Sequence, residues 1–78
     1  MPTILRIGSY RFFFYSNEAG EPTHIHVQKD DCLAKFWLEP ISIANSYKFS
    51  SVELSKIMTI IKEHKQKFIE AWNEFFGA

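Results

Sequence analysis

A single cysteine, Cys32, cannot close an internal disulfide, so the chain has to be held by packing, which suits a reducing cytosol. Nor is there an excess of either charge, since Lys+Arg and Asp+Glu number nine each. With no global field to draw in nucleic acid or an anionic membrane, binding of that kind needs a local patch. No stretch approaches the roughly 20 apolar residues of a membrane span. The opening Met-Pro-Thr-Ile-Leu-Arg lacks a basic region followed by an apolar run, so no signal peptide is expected and a cytoplasmic location is. Phosphate-cradling glycine loops, Ser/His/Asp arrangements, repeats and low-complexity tracts are missing too.

What is plentiful is apolar surface. Of the 78 residues, 46% are hydrophobic and 17% aromatic, with eight Phe, three Tyr and two Trp. The length suits one domain over residues 1–78. A domain this small buries a limited share of its surface, so part of this material is expected to meet a partner protein or a second copy of the chain.

Thr3–Ile7 and Tyr10–Tyr15 read as strands around Gly8-Ser9, where glycine at the first loop position suits a tight hairpin turn. Closing it pairs Ile7 with Tyr10, Arg6 with Arg11, Leu5 with Phe12 and Ile4 with Phe13. Leu5, Ile7, Tyr10, Phe12 and Phe14 then share one face, and Arg6, Arg11, Phe13 and Tyr15 the other. Two arginines directly opposite repel unless an anion or acidic partner sits between them. Asn17–Pro22 is polar and reads as a loop. His24–Lys29 alternates, with Ile25 and Val27 toward the core and His24, His26 and Gln28 away from it. After Asp30-Asp31, Leu33–Leu38 returns with Ala34, Phe36 and Leu38 inward, pairing His26 with Lys35 and His24 with Trp37.

Glu39–Phe49 contains Pro40 and many small polar residues, and reads as a connector with one helical turn at most. Ser50 followed by Glu53 is a capping-box pattern that starts the last helix. Along it Leu54, Ile57, Met58, Ile61, Phe68, Trp72 and Phe75 recur at helical spacing, and Gly77 ends it. The expected fold is α+β: a four-stranded antiparallel sheet of two hairpins with one long C-terminal helix.

The helix covers one sheet face, so the other face is where function is expected. It carries Arg6, Arg11, Phe13, Tyr15, His24, His26, Gln28, Lys35 and Trp37, a mixture too apolar for a plain solvated surface. His24 and His26 point the same way, roughly 6–7 Å apart along the strand. Three chemistries use such a pair. As metal ligands they lack an evident third donor, with Glu21, Cys32 or His64 able to join only by tertiary approach. As an acid–base pair they would move protons in phosphodiester cleavage, with Arg11 and Lys35 steadying the phosphate. As binding groups they would hydrogen-bond a protein or nucleotide. The plainer alternative is two strand histidines among aromatic neighbours, without chemistry. Phe13, Tyr15 and Trp37 suit base stacking, but aromatics with arginine are also what protein interfaces favour. Cys32 lies beside a turn and reads as a bystander.

The segments Met1–Gly8, Tyr10–Ser16, Pro22–Val27 (Pro-Thr-His-Ile-His-Val), Ala34–Pro40 and Glu70–Phe75 together resemble the bacterial family called domain of unknown function 4160. The resemblance spans nearly the whole chain, and departs from the family where Thr23 stands in place of a second proline. It implies a component of a toxin–antitoxin-like module whose partner is an adjacently encoded small protein of the domain of unknown function 2442 type. Joined to the residues, it leaves open whether the chain is an enzyme; if it is one, the expected activity is RNA cleavage, metal-independent and without cofactor, with His26 as base, His24 as acid, and Arg11 and Lys35 as phosphate stabilisers. Arg6, Phe13, Tyr15, Gln28 and Trp37 would contact RNA or the partner. The alternatives are a non-catalytic protein- or nucleic-acid-binding regulatory module, and a metal-dependent enzyme using His24 and His26.

Overall fold

The computed structural model describes residues 3–15 and 20–77. Five strands follow one another in an antiparallel meander: β1 (Thr3–Ile7), β2 (Tyr10–Phe13), β3 (His24–Lys29), β4 (Cys32–Leu38) and β5 (Ile41–Tyr47). A single helix, α1 (Ser51–Phe76), closes the chain. The α+β class, the antiparallel sheet and the long C-terminal helix are as expected, but the sheet has five strands and not four. The segment expected to be a connector is β5, paired along β4 from Leu38 opposite Ile41 to Leu33 opposite Tyr47. Pro40 stands before the strand, where its missing N–H disturbs no ladder.

Both tight turns take a positive φ at their first loop residue, Gly8 at 56° and Asp30 at 54°. Aspartate tolerates that conformation better than most side chains. The β3–β4 register is the expected one, with His26 opposite Lys35 and His24 opposite Trp37. In the first hairpin the register holds from Ile7 to Leu5, and then a bulge places Thr3, not Ile4, opposite Phe13. The part of the expected Asn17–Pro22 loop at residues 17–19 lies outside the described residues.

The core lies between sheet and helix. Phe12, Phe14, Ile25, Val27, Ala34, Phe36 and Leu38 meet Ile57, Ile61, Phe68 and Trp72, with Phe49 closing one end. Phe12 stacks on Phe68 at 5.3 Å between ring centres. Each such side chain contributes on the order of 1.5–3 kcal/mol by leaving water. The helical stripe finishes on Phe76, while Phe75, expected in the stripe, remains 46% exposed although its ring touches Phe14. From Trp72, four residues lead to Phe76, so helical spacing favours Phe76 over Phe75 for the inward direction.

The helix start is tied to the sheet by more than its apolar face. The Ser50 hydroxyl accepts the Glu53 N–H at 3.1 Å, as the capping pattern requires. The Glu53 carboxylate meanwhile accepts from Lys29 Nζ at 2.9 Å and from the Tyr10 hydroxyl at 3.2 Å. The bond from Lys29 holds the Glu53 carboxyl below its ordinary range, and the same contact raises Lys29. Tyr10 is raised too, first by burial and then by its bond to Glu53. No helix is long and apolar enough to cross a membrane among the described residues.

Candidate functional site

The strand pairings arrange the face away from α1 into three rows that run across the strands. Arg6, Arg11, Gln28, Leu33 and Tyr47 form one; Thr3, Phe13, His26, Lys35 and Asn45 the next; His24, Trp37 and Ser42 the third. Every residue that the sequence singled out on this face, apart from Tyr15 just beyond β2, belongs to a row. Antiparallel pairing produces this by itself, because directly opposed residues point to the same side of a sheet.

The middle row is a packed layer. Phe13 was expected to be open on this face, yet it is only 1% exposed. The Arg11 guanidinium lies 4.4 Å from its ring centre, His26 stacks on it at 5.4 Å with 21° between planes, and Tyr15 meets it edge-on at 5.4 Å. Long neighbours laid across a short sheet can thus cover an aromatic ring without any overlying element. Tyr15 also meets the His26 ring edge-on at 4.8 Å and stays 40% exposed.

Two cations of the face, Arg11 and Lys35, have internal partners. Arg11 donates through Nε to the Thr3 hydroxyl at 2.8 Å and through Nη1 to Gln28 Oε1 at 3.0 Å. Lys35 Nζ lies 2.6 Å from Glu21 Oε1 and 4.6 Å from the centre of the Trp37 ring.

His24 departs most from expectation. The pairing puts it beside Trp37 and His26, but its side chain is fully buried and not open on the far face. Its ring lies 4.8 Å from that of Trp72, 5.2 Å from His26 and 5.6 Å from Trp37. Nδ1 is 2.8 Å from the Pro22 carbonyl oxygen, which can only accept, so the proton sits on Nδ1. The Glu21 carboxylate is 4.0 Å from the same nitrogen. The cause is a contact from the helix: the Trp72 indole near its end packs against the imidazole at the start of β3.

His24, His26 and Lys35 are therefore brought together, and Arg11 sits one row away with its Nε–H and one Nη1–H engaged. Trp37 is half-buried in the third row, Gln28 is half-buried as the acceptor for Arg11, and Arg6 is exposed on β1. Among the described residues, no three His, Cys, Asp or Glu side chains gather so that they could hold a metal ion. Two participants were missed from the sequence, and a third, Glu21, was weighed only as a metal donor. Glu21 anchors Lys35, and its place three residues before His24 was an available signal. Trp72 covers His24 from the helix, which no local pattern announces. Tyr47 extends the first row across β5, and the alternation of Ile41, Ser42 and Ile43 could have revealed that strand.

Comparison with known proteins places this geometry in one context. The family model described as Domain of unknown function (DUF4160) matches residues 9–73. No curated protein and no solved structure matches the chain.

Proposed function

Taking as premise that the chain belongs to the family Domain of unknown function (DUF4160), we propose that it is a non-catalytic docking component of a two-protein module of toxin–antitoxin type. On this reading it acts in the cytoplasm, and its outer sheet face binds the adjacently encoded small protein. The observation that carries the reading is the division of labour on that face. Its groups suited to chemistry are buried or engaged, whereas Tyr15, Leu33 and Tyr47 are 40%, 38% and 59% exposed. Leu33 and Tyr47 are directly opposed neighbours on β4 and β5, so they form one apolar patch. An aliphatic and aromatic patch beside arginine is the composition that anchors protein interfaces.

The test is co-sedimentation or light scattering of the purified chain, alone and with the adjacently encoded protein. A complex is expected with the wild type, and Tyr47→Glu should weaken it at least about tenfold, since a charge would be buried against the partner. A complex of undiminished affinity with Tyr47→Glu and with Trp37→Glu would refute the docking face.

RNA phosphodiester cleavage is the second reading. Its support is the 5.2 Å approach of the two imidazole rings, with Lys35 opposite His26. His26 is half-buried whereas His24 is fully buried, so His26 would be the base, with His24 orienting it from behind. Incubating the protein with mixed RNA decides this: cleavage by the wild type, lost in His26→Ala, would displace the docking reading.

A further inference from the structure

Where β3 begins and β4 ends, Pro22, Thr23, Trp37, Glu39, Pro40 and Ser42 line a cleft of about 600 Å³. That lies within the range of roughly 300–1,000 Å³ that binding clefts occupy. Its apolar lining comes from Pro22, Pro40 and the half-buried Trp37. Glu39 is the one charged side chain lining it, is exposed, and has no hydrogen bond or ion pair with any described residue. The neighbouring Glu21 differs, because Lys35 neutralises it. The cleft thus combines an aromatic floor, rigid apolar walls and one uncompensated negative charge.

We propose that this cleft binds an extended proline-rich peptide segment carrying an arginine, with prolines against Trp37 and the guanidinium on Glu39. Proline-rich segments hold their extended helix before binding, so they lose little entropy on docking to aromatic-lined grooves. A planar guanidinium matches a carboxylate with two parallel hydrogen bonds, which selects arginine over lysine at the free Glu39. The assignment deepens the docking reading and rests on it: the cleft supplies sequence selection at the opposite end of β4 and β5 from the apolar patch of Leu33 and Tyr47.

The experiment follows the two tryptophan indole N–H resonances of isotopically labelled protein as a short peptide, Pro-Pro-Arg-Pro-Pro, is added. A second peptide with Gln in place of Arg is the control, and Trp37→Phe assigns the signals. The Trp37 resonance is expected to move, while that of Trp72, 5% exposed in the core, stays in place. The arginine peptide should bind up to about fivefold more tightly than its glutamine control, the range of an exposed ion pair. That preference should vanish in Glu39→Gln, which leaves a folded chain because Glu39 is a surface residue. An unmoved Trp37 signal at millimolar peptide, or equal affinity for the two peptides, would overturn the proposal. Loss of the adjacent protein's complex in Tyr47→Glu alongside a silent cleft would remove the peptide assignment and leave the docking face standing.

Discussion

Phe12 and Phe13 are consecutive, identical in chemistry and almost equally hidden, at 0% and 1% exposure, yet they are buried by different means. Phe12 lies under the helix, stacked on Phe68 within one continuous apolar cluster. Phe13 lies on the opposite face and is covered by Arg11, His26 and Tyr15, side chains that each carry a polar group. Equal exposure therefore hides unequal packing. A helix-covered face is rigid and loses dispersion contacts when a ring is removed, whereas a face covered by long polar side chains can settle into the gap.

The largest effect should break that symmetry. Phe12→Ala is expected to destabilise by about 3–5 kcal/mol, the range for core phenylalanines, and Phe13→Ala by roughly 1–2 kcal/mol because its cover can relax. Urea unfolding of both variants measures this. Equal losses would mean that the outer face is a second core and not a flexible cover.

The histidines sharpen the same contrast on a smaller scale. His24→Ala removes a fully buried ring from contact with Trp72 and strips the Pro22 carbonyl of its donor, so a loss of about 2–3 kcal/mol is expected. His26→Ala, half-buried, should cost about 1 kcal/mol or less. Similar melting temperatures for the two variants would contradict the structural role assigned here to His24.

The smallest effect concerns pH. Glu53 is held below its ordinary value of 4.5, chiefly by its bond from Lys29, so below 4.5 the unfolded chain takes up this proton before the folded one does. Its stabilising contribution is full above 4.5 and is lost as pH falls through the depressed folded value. Lys29 and Tyr10 are raised, so their contributions are complete below about 10 and are lost as pH rises through the folded values. Glu53→Gln should therefore flatten the acid limb of a stability–pH curve relative to the wild type. Parallel acid limbs would show that the contact leaves no mark on stability.

Much of this was legible in the residues, for local reasons. Gly8 and Asp30-Asp31 set two turns, and from these the strict alternation of His24–Lys29 and Ala34–Leu38 fixes which side each residue takes. Ser50 and Gly77 mark the helix ends because capping depends on a few adjacent groups. β5 was only faintly legible: Ile41, Ser42 and Ile43 alternate, but Pro40 before them and the small residues after them carry weak strand preference, and edge pairing to β4 supplies what propensity lacks.

By itself, then, the order of residues determined the hairpins, the helix and the company that His26 keeps with Lys35, because turns, alternation and caps act within a few residues. Tertiary structure alone decided that His24 is buried, that Phe13 is covered and that Glu39 lines a cleft with no ion pair among the described residues. Each of these depends on side chains distant in sequence: Trp72 on His24, Arg11 with His26 on Phe13, and Glu21 drawing Lys35 to itself. Which chemical groups can meet a partner is set by such long-range contacts, and no periodicity in the chain encodes them.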